Sequence, residues 1–80
     1  MTAMVDLLNH REPAIRELGQ KAVRYRSQYD KGEITVTEYN SLCDQLTDLE
    51  ALQAAAESAE LRQAFAEAVQ FLRTYLPVLL

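Results

Sequence analysis

One cysteine (Cys43), one histidine (His10) and no tryptophan leave this chain of 80 residues few routes to chemistry. A single thiol closes no internal disulfide, and one cysteine with one histidine makes no zinc cluster. Any site that needs two imidazoles is excluded as well. Glycine and proline occur twice each, so Gly19, Gly32, Pro13 and Pro77 are informative punctuation. Apolar runs stop after a few residues, far short of the roughly 20 that span a bilayer. The opening Met1-Thr2-Ala3-Met4-Val5-Asp6 lacks the basic start and apolar core of a signal peptide. The expectation is a cytoplasmic protein with no membrane span, or one made in the cytoplasm and carried in an assembly. A lone cysteine fits a reducing compartment.

What the chain does have is helix formers: Glu, Gln, Ala, Leu and Arg dominate. Its length allows one domain, residues 1–80. Such a chain buries only about 60–65% of its unfolded surface, and small domains commonly gain stability from disulfides, metals or association. With disulfide and zinc excluded, association remains. The net charge of −4 is unevenly spread. Residues 11–31 carry six cations and three acids, and residues 32–80 carry two cations and eight acids. A basic arm and an acidic arm attract at long range, although exposed pairs contribute little each.

Residues 2–10 read as a short helix, with Thr2 as a plausible cap and Met4, Val5, Leu7 and Leu8 giving an apolar side. At two to three turns it must dock or fray. Pro13 suits the first turn of a helix running over 13–31. Ile15, Leu18, Ala22, Tyr25 and Tyr29 follow at spacings of 3, 4, 3 and 4, a narrow seam for one facing helix. Gly19 beside the seam permits close helix approach, at a propensity cost of about 1 kcal/mol. Val23 lies off the stripe. Lys31-Gly32 reads as a left-handed helix stop. Thr35-Val36-Thr37-Glu38 reads as a capping box, with Ile34 before the cap and Tyr39 after it as a hydrophobic staple.

A helical return arm, 36–76, starts there. On a wheel of about 100° per residue, Leu46, Leu49 and Ala56 fall within about 40° of Leu42. Leu61, Phe65, Ala68, Val69, Leu72 and Leu76 lie about 80–180° away on the same wheel. Either the arm is kinked or split near 58, where Ser58 can cap a new helix, or one helix of about 40 residues passes between two neighbours. Ala54-Ala55-Ala56 favours continuity, and Glu57-Ser58-Ala59-Glu60 favours a break. Pro77 ends the helix, and Val78, Leu79 and Leu80 form an apolar tail, 77–80. That tail either folds onto its own core or anchors in a partner groove. The fold expected is all-α: a hairpin or bundle of three to four helices, its antiparallel arms joined by a Gly turn at 31–35.

Three chemistries can be weighed from the residues. Gly32, Ile34 and Glu38 match the sixth, eighth and twelfth positions of a calcium loop. The ligand positions one, three and five would then be Ser27, Tyr29 and Lys31, which cannot build an oxygen cage, so no calcium is expected. Asp44, Asp48, Glu57, Glu60 and Glu67 are at helical spacings, which a solvated face also requires, and Cys43 beside an apolar stripe reads as a small buried thiol. No catalytic, metal or cofactor residues are assigned, and no enzyme activity is expected. Arg16, Lys21, Arg24, Arg26 and Lys31 partly ring one helix, as in helices that follow phosphates. The acidic return arm opposes that patch and argues against nucleic acid.

The segment Tyr25–Leu49, YRSQYDKGEITVTEYNSLCDQLTDL, resembles the helical hairpin of SHOCT-like short domains. Gly32, Ile34, Thr35, Glu38, Tyr39, Leu42 and Leu46 carry the likeness. It implies a hairpin for oligomerisation or contacts, of a kind that also occurs in phage-encoded proteins.

The function expected is therefore a small structural or adaptor protein, self-associating or bound to a protein partner, such as a component of a phage particle. Its interaction candidates are Ile15, Leu18, Ala22, Tyr25, Tyr29, Leu61, Phe65, Val69, Leu72, Leu76, Val78, Leu79 and Leu80. The alternatives are an acidic regulator of a nucleic-acid-handling protein and, third, a weak basic-helix nucleic-acid binder.

Overall fold

The computed structural model describes residues 3–77 as an all-α bundle of five helices. They are α1 (Met4–Leu8), α2 (Pro13–Asp30), α3 (Val36–Leu46), α4 (Leu49–Ala55) and α5 (Ala59–Tyr75). The central element is α2, which packs against α1, α3 and α5, while α4 lies on α5. The tail residues Val78, Leu79 and Leu80, with Met1 and Thr2, lie outside the described residues.

Each boundary has a local cause. Ala3 occupies the N-cap position of α1, and the Asp6 carboxylate accepts the Ala3 N–H at 3.0 Å. Pro13 is the first residue of α2, where its missing N–H costs nothing. Just upstream, His10 Nδ1 accepts the Glu12 N–H at 3.0 Å, and Arg16 Nη1 donates to the His10 carbonyl at 2.8 Å. The lone histidine and one arginine thus tie the α1–α2 junction.

At its other end α2 closes in a Schellman turn. Gly32 N–H donates to Tyr29 O at 3.0 Å, and Glu33 N–H to Gln28 O at 2.9 Å. Gly32 sits at φ 75°, in left-handed space that side chains resist. Gly32→Ala should cost about 1 kcal/mol even though its Cβ would meet nothing within 4 Å, because the penalty is in the backbone. Urea unfolding would show a lower midpoint with an unchanged slope. Three residues past Gly32, the capping box forms as read: Glu38 N–H donates to Thr35 Oγ1 at 3.1 Å, and Thr35 N–H to Glu38 Oε1 at 2.9 Å.

The return arm breaks twice. The break near 58 is there, with Ser58 Oγ accepting the Leu61 N–H at 3.1 Å. A second break at Thr47-Asp48 corrects the expectation of a single kink or split. There Asp48 Oδ1 accepts the Ala51 N–H at 3.2 Å and starts α4. The end of α3 carries no glycine; Thr47 Oγ1 donates to Cys43 O at 2.8 Å, and Arg73 reaches Thr47 O from α5 at 3.4 Å. Removing one cap, Asp48→Ala or Thr35→Ala, should cost about 1 kcal/mol. In a domain of this size that lowers the melting temperature by roughly 4–8 °C, readable by circular dichroism.

The core explains the divided arm. Leu7, Ile15, Leu18, Ala22, Tyr39, Leu46, Ala56, Phe65, Ala68, Val69, Leu72 and Leu76 are buried. Turning the chain at 47–48 and again at 56–58 lets the two divergent stripes of the return arm face one interior. Electrostatics contributes less than the opposed arm charges suggest. Of the ion pairs among the described residues, only Arg11–Glu60 joins the two arms, at 3.4 Å with both side chains exposed. Lys21–Glu17 and Arg26–Asp30 are i,i+4 pairs within α2 itself. Exposed pairs of this kind contribute about 0–1 kcal/mol each, so apolar burial holds the arms together.

Candidate functional site

Between α2, α3, α4 and α5 lies an open groove of about 290 Å³. One wall is an α2 stripe of Ala14, Glu17, Leu18, Lys21 and Tyr25. Spacings of 3, 1, 3 and 4 keep these residues on one helical face. Opposite stand Leu42, Gln45 and Leu46 of α3 and Leu52 of α4, and Phe65 of α5 completes the lining. Leu18, Leu46 and Phe65 are buried, whereas Tyr25, Leu42 and Leu52 are half-buried and reachable. Glu17 and Lys21 pair with each other at 3.3 Å on the α2 side. The result is an apolar centre with polar groups beside it. α4, a helix of 7 residues with none of them buried, contributes Leu52 to it.

The interaction candidates read from the sequence separate into three groups. Ile15, Leu18, Ala22, Phe65, Val69, Leu72 and Leu76 are buried in the chain's own core, which corrects the expectation that they face a partner. The seam on α2 already has its partners, because α1, α3 and α5 of the same chain pack on α2. Only the edges of Leu18 and Phe65 reach the groove. Tyr25 lines the groove. Tyr29 stacks on Tyr39 with ring centroids 4.7 Å apart, and Leu61 is half-buried against the core. Val78, Leu79 and Leu80 lie outside the described residues. Leu42 and Leu52 were not among the candidates. Leu42 on the first stripe of the return arm was the available signal; Leu52 could be placed only with the break at 47–48.

A second cluster, at the end of the molecule holding the α2–α3 corner, is structural in its geometry. Tyr39 is fully buried, and its hydroxyl donates to the Leu76 carbonyl at 3.2 Å. Burial pushes the Tyr39 hydroxyl above its ordinary pKa, while the neighbouring Arg26 opposes the shift. The Cys43 thiol is also pushed up, chiefly by burial, with Tyr39 opposing. A raised thiol is a poor nucleophile at neutral pH. Arg26 is raised in turn, first by its contact with the Tyr39 hydroxyl. The acids of the return arm remain mostly at the surface: Glu33, Glu38, Asp44, Asp48, Glu50, Glu57, Glu60 and Glu67 are all exposed.

No group of three or more His, Cys, Asp or Glu among the described residues is arranged to hold a metal ion. No helix among them is long and apolar enough to cross a membrane. No protein family model matches the chain, and no curated protein or solved structure is detectably similar to it.

Proposed function

We propose that this chain is a small protein-binding module without catalytic activity, an adaptor or assembly component. Its groove takes apolar side chains from one helix of a partner protein. The observation that carries the reading is the groove itself, apolar along Tyr25, Leu42, Leu52 and Phe65 and flanked by Glu17, Lys21 and Gln45. An amphipathic helix laid in such a cleft buries its i, i+3 and i+4 anchors and leaves its polar face wet. At about 290 Å³ and open to solvent, the site falls just below the roughly 300–1,000 Å³ range of small-molecule clefts and cavities, which favours side chains over a free metabolite. The likeness of Tyr25–Leu49 to SHOCT-like hairpins supports the same reading, since Tyr25, Leu42 and Leu46 belong both to that segment and to the groove.

The test starts from the tagged chain as bait in its native host and proceeds to the purified partner. Leu42→Glu and Leu52→Glu alter half-exposed positions, so helicity should hold while affinity falls at least about tenfold, a range typical of central anchor residues. Unchanged affinity in both variants would remove the groove from the account. One further reading has its own observation, the exposed acids of the return arm. An acidic regulator of a nucleic-acid-handling protein would lose its partner as salt rises and on Glu60→Lys with Glu67→Lys, yet keep it in the groove variants.

A further inference from the structure

From Glu33 to Leu76 the chain holds neither glycine nor proline, yet it bends at Ala56-Glu57-Ser58. Ala56 is extended at φ −71°, ψ 134°, and Ser58 at φ −141°, ψ 161°. No non-glycine residue among those described has positive φ, so the bend holds no left-handed backbone. Ala54-Ala55-Ala56 on its upstream side are the strongest helix formers available. Few bonds hold the bend. Ser58 Oγ caps the Leu61 N–H, and Ala56 N–H reaches Gln53 O at 3.2 Å. The other backbone groups at these two helix ends would find partners if α4 and α5 joined.

Joined, residues 49–75 would form one helix about 40 Å long, exceeding the 37 Å long axis of the folded chain. α4 and α5 now pack on each other across the bend, so a straight helix parts them, and in the exchanged form it is α5 that leaves its own α2. Its buried face, Phe65, Ala68, Val69, Leu72 and Leu76, would stand in water, which the straight form alone cannot sustain. A second copy opened in the same way offers the identical vacated site. The contacts of α5 beyond the hinge re-form between the two copies: its packing on α2, the Tyr39 hydroxyl to Leu76 O, and Arg73 to Thr47 O. The two apolar stripes of the return arm point to different sides of a straight helix, as an exchanged helix requires.

We propose that residues 56–58 are a domain-swapping hinge, through which two copies of this chain exchange α5. The proposal rests on the hinge and not on the groove, and it stands apart from the reading of function above. Exchange needs no new surface, only concentration.

Two substitutions push the hinge in opposite directions. Ser58→Ala removes the cap and improves helix propensity at 58, and should tighten dimerisation about fivefold. Ala59→Pro places proline at the first position of α5, where the closed form tolerates it, and Ser58 already has the extended backbone that precedes proline. In the continuous helix the same proline is interior, so dimerisation should weaken about a hundredfold. Light scattering after size exclusion, from about 10 μM to about 1 mM, reads both, with helicity checked in parallel. Glu57→Pro provides a second block if Ala59→Pro lowers helicity. A helical Ser58→Ala protein that stays monomeric throughout overturns the proposal. So does a folded proline variant that dimerises as tightly as Ser58→Ala.

Discussion

Tyr39→Ala should leave much of the chain unfolded at 25 °C, whereas Tyr39→Phe should fold and melt somewhat lower. Tyr39 is fully buried and stacks on Tyr29 at 4.7 Å with the rings inclined by 20°. Its hydroxyl donates to Leu76 O, so one side chain from α3 fastens the end of α2 to the end of α5. Truncating a buried aromatic to alanine costs about 3–5 kcal/mol, and a lost stacked pair about 0.5–1.5 kcal/mol more. At about 0.05–0.15 kcal/mol per residue, this chain holds roughly 4–12 kcal/mol in all. The alanine variant therefore removes a large share of it. Phenylalanine keeps the ring and stack and loses one hydrogen bond, about 0.5–1.5 kcal/mol. Urea titration separates the two outcomes, and a loss in Tyr39→Phe equal to that in Tyr39→Ala would refute the division of labour between ring and hydroxyl.

The same residue sets an alkaline limit. A group whose folded pKa is raised gives stability that is fully present below its unfolded value and is lost as pH rises through the folded one. Cys43 and Tyr39 are both raised, from ordinary values of 9.0 and 10.0, mainly by burial. Stability should therefore begin to decline above about pH 9, from the thiol, and fall further above pH 10, from the phenol. Cys43→Ala should flatten the first part of the decline and Tyr39→Phe the second, in urea midpoints measured at successive pH values.

Much of this architecture was legible because its signals are local. Pro13, the Lys31-Gly32 stop, the Thr35–Glu38 box and Ser58 each act within four residues of themselves, and each stands where the spacing placed it. The break at Thr47-Asp48 was not legible. Leu46, Leu49 and Leu52 fit an uninterrupted helix, and Asp48 looks like any wet-face acid until its carboxylate is seen on Ala51 N–H. The reason for turning there is distant: α4 must return onto α5, and Arg73, 26 residues on, meets the freed Thr47 carbonyl. The groove was half legible for a related cause. A seam such as Ile15–Leu18–Ala22 reports that something covers it, but not whether the cover comes from another molecule or from other helices of the same one. With α1, α3 and α5 as the cover, the residues left reachable are the less conspicuous Tyr25, Leu42 and Leu52.

Gly19→Val should detach α1 and lower stability by roughly 2–4 kcal/mol, although valine is the better helix residue by a few tenths of a kcal/mol. Gly19 is buried where α1 crosses α2, and a Cβ built there would stand 3.0 Å from Leu7 Cβ and 3.4 Å from backbone atoms of Leu7 and Leu8. The obstacle is a Cβ and main chain, neither of which can swing aside, so α1 must move as a body. Alanine already sets about 1 kcal/mol of helix propensity against an overpacking cost of about 1–3 kcal/mol, and should come out neutral to mildly destabilising. Valine adds two methyl groups to the same contact and leaves α1 no seat. Leu7, only 2% exposed, then loses a burial that contributes about 1.5–3 kcal/mol. With five residues, α1 cannot persist undocked. Amide hydrogen exchange would resolve the event by segment: residues 4–8 should lose protection in Gly19→Val while residues 15–29 and 61–75 keep theirs. Uniform loss across all three segments would mean that α1 is integral to the bundle rather than a cover laid on α2 at its one side-chain-free position.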